Sequence, residues 1–508
     1  MRLARLTFLA LGVASPALAE GPLSAIGWLN EPVSVPIATP LNPPIDEPPV
    51  AQGVTTPPVT VMALSKTSSD AVGLLPASVT GLPPSVWSNS TNADLLRLWS
   101  HVRAEPIPAI QAVYYTLLLA EAEPPIGIDG VFLRARVDSL LRLGAVEPAQ
   151  ALLERAGPSR PELFQQWFDL TLLTGDEMRA CNALKDTPTL HPDYGAQIYC
   201  TALAGDWNTA ALLYDTAQVL DVLDPLEKAL LALYLDPEDD TVETPRAPQS
   251  APTPLIFRLY EAIGTPLPTR NLPLAFATAD LRNTSGWKAE LEAAERLVRT
   301  GALSENRLLG LYSDQDPAAS GGIWDRVRAV QAFETALSHN DPTAVAETLP
   351  PVWRSMQGAH LEVAFARLFA DPLSKLILPD DLRALQFRIA LLTSDYEAAA
   401  GWLDPSREGQ FLASLARGKP DVTLASTPVE RAITRAFAPG VAPPRLQGAL
   451  LAQGKLGEAI LFSADQFDQA GRGDPGDIAE ALSTLRSVGL EDAARRAALQ
   501  MLILEPQK

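Results

Sequence analysis

The chain has 508 residues, a formal net charge of −20 and a hydrophobic content of 47%. That length allows two or three domains or one extended array, and the apolar content is ample for a core. Binding to phosphate backbones needs clustered Lys and Arg, and no basic run here is longer than Arg495-Arg496. Nucleic acid is therefore not an expected partner, and neither is an anionic membrane surface.

The first elements in chain order concern export. Arg2 and Arg5 precede an apolar run from Leu6 to Ala14, which is followed by Ser15-Pro16-Ala17-Leu18-Ala19. A basic start, a short apolar stretch and an A-x-A site are the parts of a secretory signal peptide. The run is well short of the ~20 residues a spanning helix needs, so no transmembrane segment is expected in the mature chain. Residues 1–19 are read as a signal peptide cleaved near Ala19, which places the mature protein in the periplasm.

Residues 20–90 read as an extended, polyproline-like and largely disordered segment. Prolines run from Pro22 to Pro84 with doublets at Pro43-Pro44, Pro48-Pro49, Pro57-Pro58 and Pro83-Pro84, and proline both fixes φ and removes a backbone donor. Apolar islands interrupt the segment at Ile26-Gly27-Trp28-Leu29, Val72–Pro76 and Val79–Pro83. Each is either a linear motif for a partner or a patch that packs on the chain's own body. Ile26, Trp28 and Leu29 form the candidate partner motif.

From Asn92 the pattern becomes helical. Asp94–Trp99 starts one helix, Ile110–Ala122 is apolar nearly all round, and Arg134–Leu143 repeats apolar residues at i, i+3, i+4 and i+7. A unit then recurs: an apolar helix end, a Gly or small polar turn, and a helix carrying Ala at a fixed offset. Gly144, Gly175 and Gly205 are 31 and 30 residues apart, and Gly454 and Gly489 are 35 apart. Asp236–Pro254 breaks the pattern with acids and prolines. The reading is thus a helical-repeat domain at 91–235, a linker or loop at 236–254 and a second helical-repeat domain at 255–508, with weaker breaks at Gly321-Gly322 and Pro350-Pro351.

Two cysteines, Cys181 and Cys200, stand in neighbouring expected helices on either side of a connector through Pro188. In an exported chain they are read as a disulfide; closing a loop of ~20 residues stabilises by roughly 3 kcal/mol in the chain-entropy model. The four histidines, His101, His191, His339 and His360, form no H-E-x-x-H and no close pair with Cys, so no metal or other cofactor is expected. His191, before Pro192, is expected to be solvated. Ser285-x-x-Lys288 has the spacing of a Ser nucleophile and its Lys, but its surroundings resemble the turn at Gly205-Asp206-Trp207, and a helix-start role is expected. Trp99, Trp167, Trp207, Trp287, Trp324, Trp353 and Trp402 are expected in the core.

The recurring Gly turns and their Ala residues resemble those of degenerate tetratricopeptide-like α-solenoids. The full layout, from export signal through Pro-rich segment to helical array, resembles that of secreted alphaproteobacterial helical-repeat proteins. The resemblance implies an all-α fold, an α-α superhelix, and no catalytic residue. The expected function is a non-enzymatic periplasmic scaffold or adaptor that binds a protein or peptide partner in the cell envelope, through a helical groove and the Pro-rich tail. The alternative is an accessory factor or enzyme of peptidoglycan or polysaccharide metabolism.

Overall fold

Leu and Ala at three- and four-residue intervals from Asn92 onward fold into helices, and short polar turns separate them. The computed structural model describes residues 68–238, 241–402, 404–470 and 474–504. These are all-α, with two isolated parallel bridges, Leu75 with Ala120 and Thr91 with Ile126.

The chain begins with a one-turn helix, α1 (Ala77–Thr80). Then come α2 (Asn92–His101), α3 (Pro108–Leu119), α4 (Val131–Arg142), α5 (Val146–Ala156), α6 (Pro161–Thr174), α7 (Glu177–Asp186), α8 (Tyr194–Leu203), α9 (Trp207–Leu220) and α10 (Pro225–Leu235). The middle holds α11 (Pro254–Ala262), α12 (Ala277–Asp280), α13 (Trp287–Arg299), α14 (Glu305–Ser313), α15 (Ile323–Ser338), α16 (Pro342–Gln357) and α17 (Glu362–Ser374). The last part is α18 (Asp380–Leu391), α19 (Tyr396–Ala399), α20 (Arg407–Ala416), α21 (Pro428–Ala436), α22 (Arg445–Ala452), α23 (Leu456–Ala470), α24 (Pro475–Ser487) and α25 (Glu491–Ile503).

The expected turns hold. Gly144, Gly175, Gly205, Gly454 and Gly489 all take positive φ just past a helix end, a conformation that costs glycine little. Ala149, Ala210 and Ala459 are fully buried where helices cross. Several helices also start on a capping Asp or Thr followed by Pro: Asp224-Pro225, Thr253-Pro254, Asp341-Pro342, Thr427-Pro428 and Asp474-Pro475. The side-chain oxygen satisfies a free amide of the first turn, and Pro at N1 has no amide to satisfy.

Three expectations on organisation are corrected. First, the segment assigned as disordered, 20–90, is folded from Ser68 onward. Leu74 and Leu75 donate to Leu119 O at 2.8 and 2.9 Å, Glu121 donates to Leu75 O at 2.9 Å, and Glu123 donates to Pro84 O at 2.7 Å. Leu82, Val86 and Trp87 are buried, so the Leu-Pro islands pack on the body. Residues 20–67, with Ile26, Trp28 and Leu29, lie outside the described residues, as does the signal segment. Second, 236–254 does not separate two cores. One apolar cluster takes residues from Leu82 to Ala279 and again from Phe387 to Leu499, while the other takes Ala277 to Leu392. The loop sits inside the first of these, and Tyr260 Oη donates to Arg246 O at 2.8 Å across it. Third, Pro350-Pro351 does not break the chain, because α16 runs through both. Val345, Leu349, Val352 and Met356 are buried on one face of α16, and that packing outweighs the missing backbone donors.

Many consecutive helices pair along the described body, and its first and last helices also meet. α2 and α3 pack on α23, and α3 packs on α25. Ala109 N donates to Gln500 Oε1 at 2.7 Å, Ile107 N donates to Asp468 Oδ1 at 3.2 Å, and Lys455 pairs with Asp94 at 3.4 Å. The helical array is therefore closed on itself rather than open-ended.

Candidate functional site

Cys181 on α7 and Cys200 on α8 are bonded, with Cα atoms 5.0 Å apart. The connector between them carries a turn at Pro188–Leu190. Replacing both cysteines with Ser is expected to lower the unfolding free energy by about 3 kcal/mol. Urea titration checks this, and alkylation of the native chain followed by mass spectrometry should find no free thiol.

The other sequence candidates are dispersed. His191 is buried, not solvated: its ring packs 5.9 Å from that of Phe164 and 6.4 Å from that of Phe168, because the connector folds back over α6. Ser285 Oγ donates to Asp280 Oδ1 at 2.9 Å while Lys288 pairs with Glu292 at 3.6 Å. The two side chains serve different partners, and Gly286 rather than Ser285 is the N-cap of α13. Trp99, Trp167 and Trp353 are core residues, whereas Trp207 is 48% exposed at the start of α9. Among the described residues, no group of three or more His, Cys, Asp or Glu is arranged to hold a metal ion.

An acidic cluster accompanies His191. Burial, and then the charges of Asp193 and Asp224, push the Glu227 carboxyl up to about 7. A raised carboxylate holds its proton more tightly in the folded state, so its contribution is fully present below about pH 4.5 and is lost as pH rises through 7. Glu227→Gln is therefore expected to stabilise the chain at pH 8, by on the order of 1 kcal/mol after solvent screening, and to change little at pH 4. Thermal melts at the two pH values check this.

Three surfaces are candidates for binding. The first is a polar cleft of about 440 Å³ lined by Glu147, Arg258, Arg282 and Arg307. Two of its three arginines are already matched by carboxylates, and Arg307 donates to Leu281 O at 3.2 Å. Arg258 pairs with Glu177 and Glu261, and Arg282 donates to both Glu261 oxygens at 2.6 and 2.8 Å. The second is α9, where Leu212, Val219 and Leu220 stay exposed with no neighbour to cover them.

The third is a groove of about 990 Å³ between the loop that follows α20, the length of α21 and the start of α24. α21 buries Ala432, Ile433 and Ala436 and turns Pro428, Arg431, Thr434 and Arg435 to the groove. Phe437, Pro439 and Pro475 add apolar wall. The Arg486 guanidinium lies 4.5 Å above the Phe437 ring and donates to Ala436 O at 2.6 Å, which fixes that wall. The opposite wall is also held: Asp421 N donates to Ser414 Oγ at 2.9 Å, and Arg407 donates to Leu424 O at 2.5 Å. Thr427 and Glu430 form a reciprocal cap at the head of α21. Burial alone would raise the Glu430 carboxyl, but the Thr427 and Ser426 amides and the Arg407 guanidinium outweigh it and hold it below the usual carboxylate range. The groove is thus preformed, apolar at the floor and cationic at the rim.

Little of this groove is marked in the sequence. Arg431 and Arg435, four residues apart on a strongly amphipathic helix, are the visible part; Asp474 reaches it only through the packing of α21 on α24, and Lys419 only through the course of the loop after α20. Comparison with protein-family models, curated proteins and solved structures found no match. Among the described residues, no helix is long and apolar enough to cross a membrane.

Proposed function

We propose that this chain is a non-enzymatic periplasmic scaffold or adaptor that holds a peptide segment of an envelope protein in the groove along α21. The periplasmic assignment rests on the basic start, apolar run and A-x-A site of residues 1–19. The glycine turns of one common geometry, each followed by a new helix, support reading the helix pairs as degenerate tetratricopeptide-like repeats. The observation that carries the binding role is the groove itself. Its walls are locked before any ligand arrives, so little ordering cost falls on binding. Its floor is Phe and Pro, and its rim offers guanidinium groups. In this reading, the apolar island at Ile26, Trp28 and Leu29 is a second contact, presented at the end of the Pro-rich tail.

The test is a photo-crosslinking amino acid placed at Thr434 of the full chain in cells. The expected result is a light-dependent adduct to a discrete envelope protein, lost when Arg431 and Arg435 are both changed to Glu. The reading fails if probes elsewhere on the surface capture a partner and the Thr434 probe captures none.

A further inference from the structure

The groove is opposite in sign to the chain that carries it. The whole sequence has a formal charge of −20, yet Lys419, Arg431 and Arg435 stand on the rim with no carboxylate partner among the described residues. The acids that flank them in sequence are engaged elsewhere. Asp421 accepts from the Thr423 amide at 2.8 Å and from its hydroxyl at 2.7 Å. Glu430 accepts from Arg407 and from the Ser426 and Thr427 amides. The acid on the lining, Asp474, is occupied at the head of α24, where it accepts from Gly476 N at 2.8 Å. Arg431 donates to Ser426 O at 2.6 Å, which positions its guanidinium and leaves its charge uncancelled. The wall across from α21 is apolar as well as cationic: Val422 is 69% exposed there. A ligand that fits is therefore anionic and apolar together.

We propose that the partner segment held in this groove is an extended acidic peptide whose two carboxylates are separated by one apolar residue; the inference rests on the groove being a peptide site and names its ligand. Arg431 and Arg435 are four residues apart on α21, which is about 6 Å along a helix axis. An extended chain advances ~3.3 Å per residue, so its alternate residues repeat at about the same distance and point to one side. Acids at i and i+2 therefore meet the two guanidinium groups together. Each contact is a charge-assisted hydrogen bond, and the planar guanidinium takes a carboxylate in a fixed orientation. The residue between the acids points the other way, to the wall where Val422 is exposed, and an apolar side chain there takes that surface out of water. Lys419, on the same wall, adds to the field that draws an anionic segment in. The rest of this acidic chain repels such a segment, so the groove is marked out by its sign as much as by its shape.

The test titrates the full mature chain against short fluorescein-labelled peptides of one composition, read by fluorescence anisotropy. Each carries two Glu and two Leu in a Gly-Ser background, with the acids at i and i+1, i and i+2, or i and i+4; a further peptide has Gln for both Glu at i and i+2. The i, i+2 peptide is expected to bind at least about tenfold more tightly than the others, since each of those leaves a guanidinium without its carboxylate. Its binding is also expected to weaken as salt is added. Arg431→Glu with Arg435→Glu abolishes that binding, and a peptide with Lys in place of both Glu restores it, which separates charge recognition from misfolding. Equal binding of the Gln peptide overturns the proposal, as does equal binding of the three spacings or binding of none. Preference for i, i+4 also overturns it, by making the ligand a helix. If the Thr434 probe still captures an envelope protein in any of those cases, the peptide-site reading stands and this inference alone falls.

Discussion

Trp87→Ala is expected to lower the unfolding free energy by about 3–5 kcal/mol, the range for truncating a large buried aromatic. The side chain is 1% exposed and meets Phe132 edge to face at 5.3 Å between ring centroids. Its other face lies against the first turn of α23, where Gly457 leaves it room: a Cβ at position 457 would fall 2.2 Å from the ring. The backbones meet at the same place, since Gly457 N donates to Val86 O at 3.0 Å. Trp87 therefore joins α4 to α23 and is a main contact of the closure between the early and late helices of the described body. Gly457→Ala should destabilise as well, because the ring or the helix must shift. In the double variant the new methyl enters space the indole has left, so the combined loss should be smaller than the sum of the two. Urea titration followed by far-UV circular dichroism reads all three; additive losses would mean that the two residues do not share one contact.

Arg136→Leu is the second large effect, again about 3–5 kcal/mol, because it strips the partner from several buried groups together. The Arg136 guanidinium is fully buried on α4. It donates to Leu118 O at 3.4 Å, Ala120 O at 3.2 Å, Asp70 O at 3.2 Å and Val72 O at 2.6 Å. One side chain thus pins the Ser68–Val72 strip and the end of α3 to the same point. Phe132 lies 5.1 Å from the charge, and the nearby Asp70 carboxylate accepts from Leu133 N at 2.6 Å. Burial lowers the guanidinium pKa to about 10, with the Asp70 charge opposing that shift, so the group remains charged at neutral pH. Arg136→Lys keeps the charge but loses the planar fork that spans four carbonyls, and should recover only part of the loss. Full recovery by Lys would reduce the role of Arg136 to its charge alone.

The helices from Asn92 onward were legible because apolar spacing, Gly turns and cap residues all agree there. The Cys181–Cys200 bond was legible from spacing and from the expected compartment. Ser68–Ser90 was not, because its order does not come from helical periodicity. It comes from backbone pairing with residues 119–126, which prolines interrupt without preventing, and from one Trp. Trp87 in a stretch with few charges, just before α2, was the available signal. Thr253-Pro254 was read as linker although a capping Thr before Pro marks a helix start, and α11 begins there. The burial of His191 depends on α6 lying beneath its connector, and the closure of the array depends on contacts some 360 to 390 residues apart in sequence. No local pattern encodes either. The groove is intermediate: α21 shows its two arginines, while the walls opposite come from the tertiary fold.

The ordered body starts at Ser68, and its first strip closes the helical array onto α23 and α25. In native-state hydrogen exchange of the full chain, the amides of Leu75, Glu121, Ile126 and Gly457 are expected to exchange together, through the same opening that exposes the buried amides of α3 and α23. Rapid exchange at Leu75 and Gly457, with α3 and α23 still protected, would contradict it and return the strip to the Pro-rich tail.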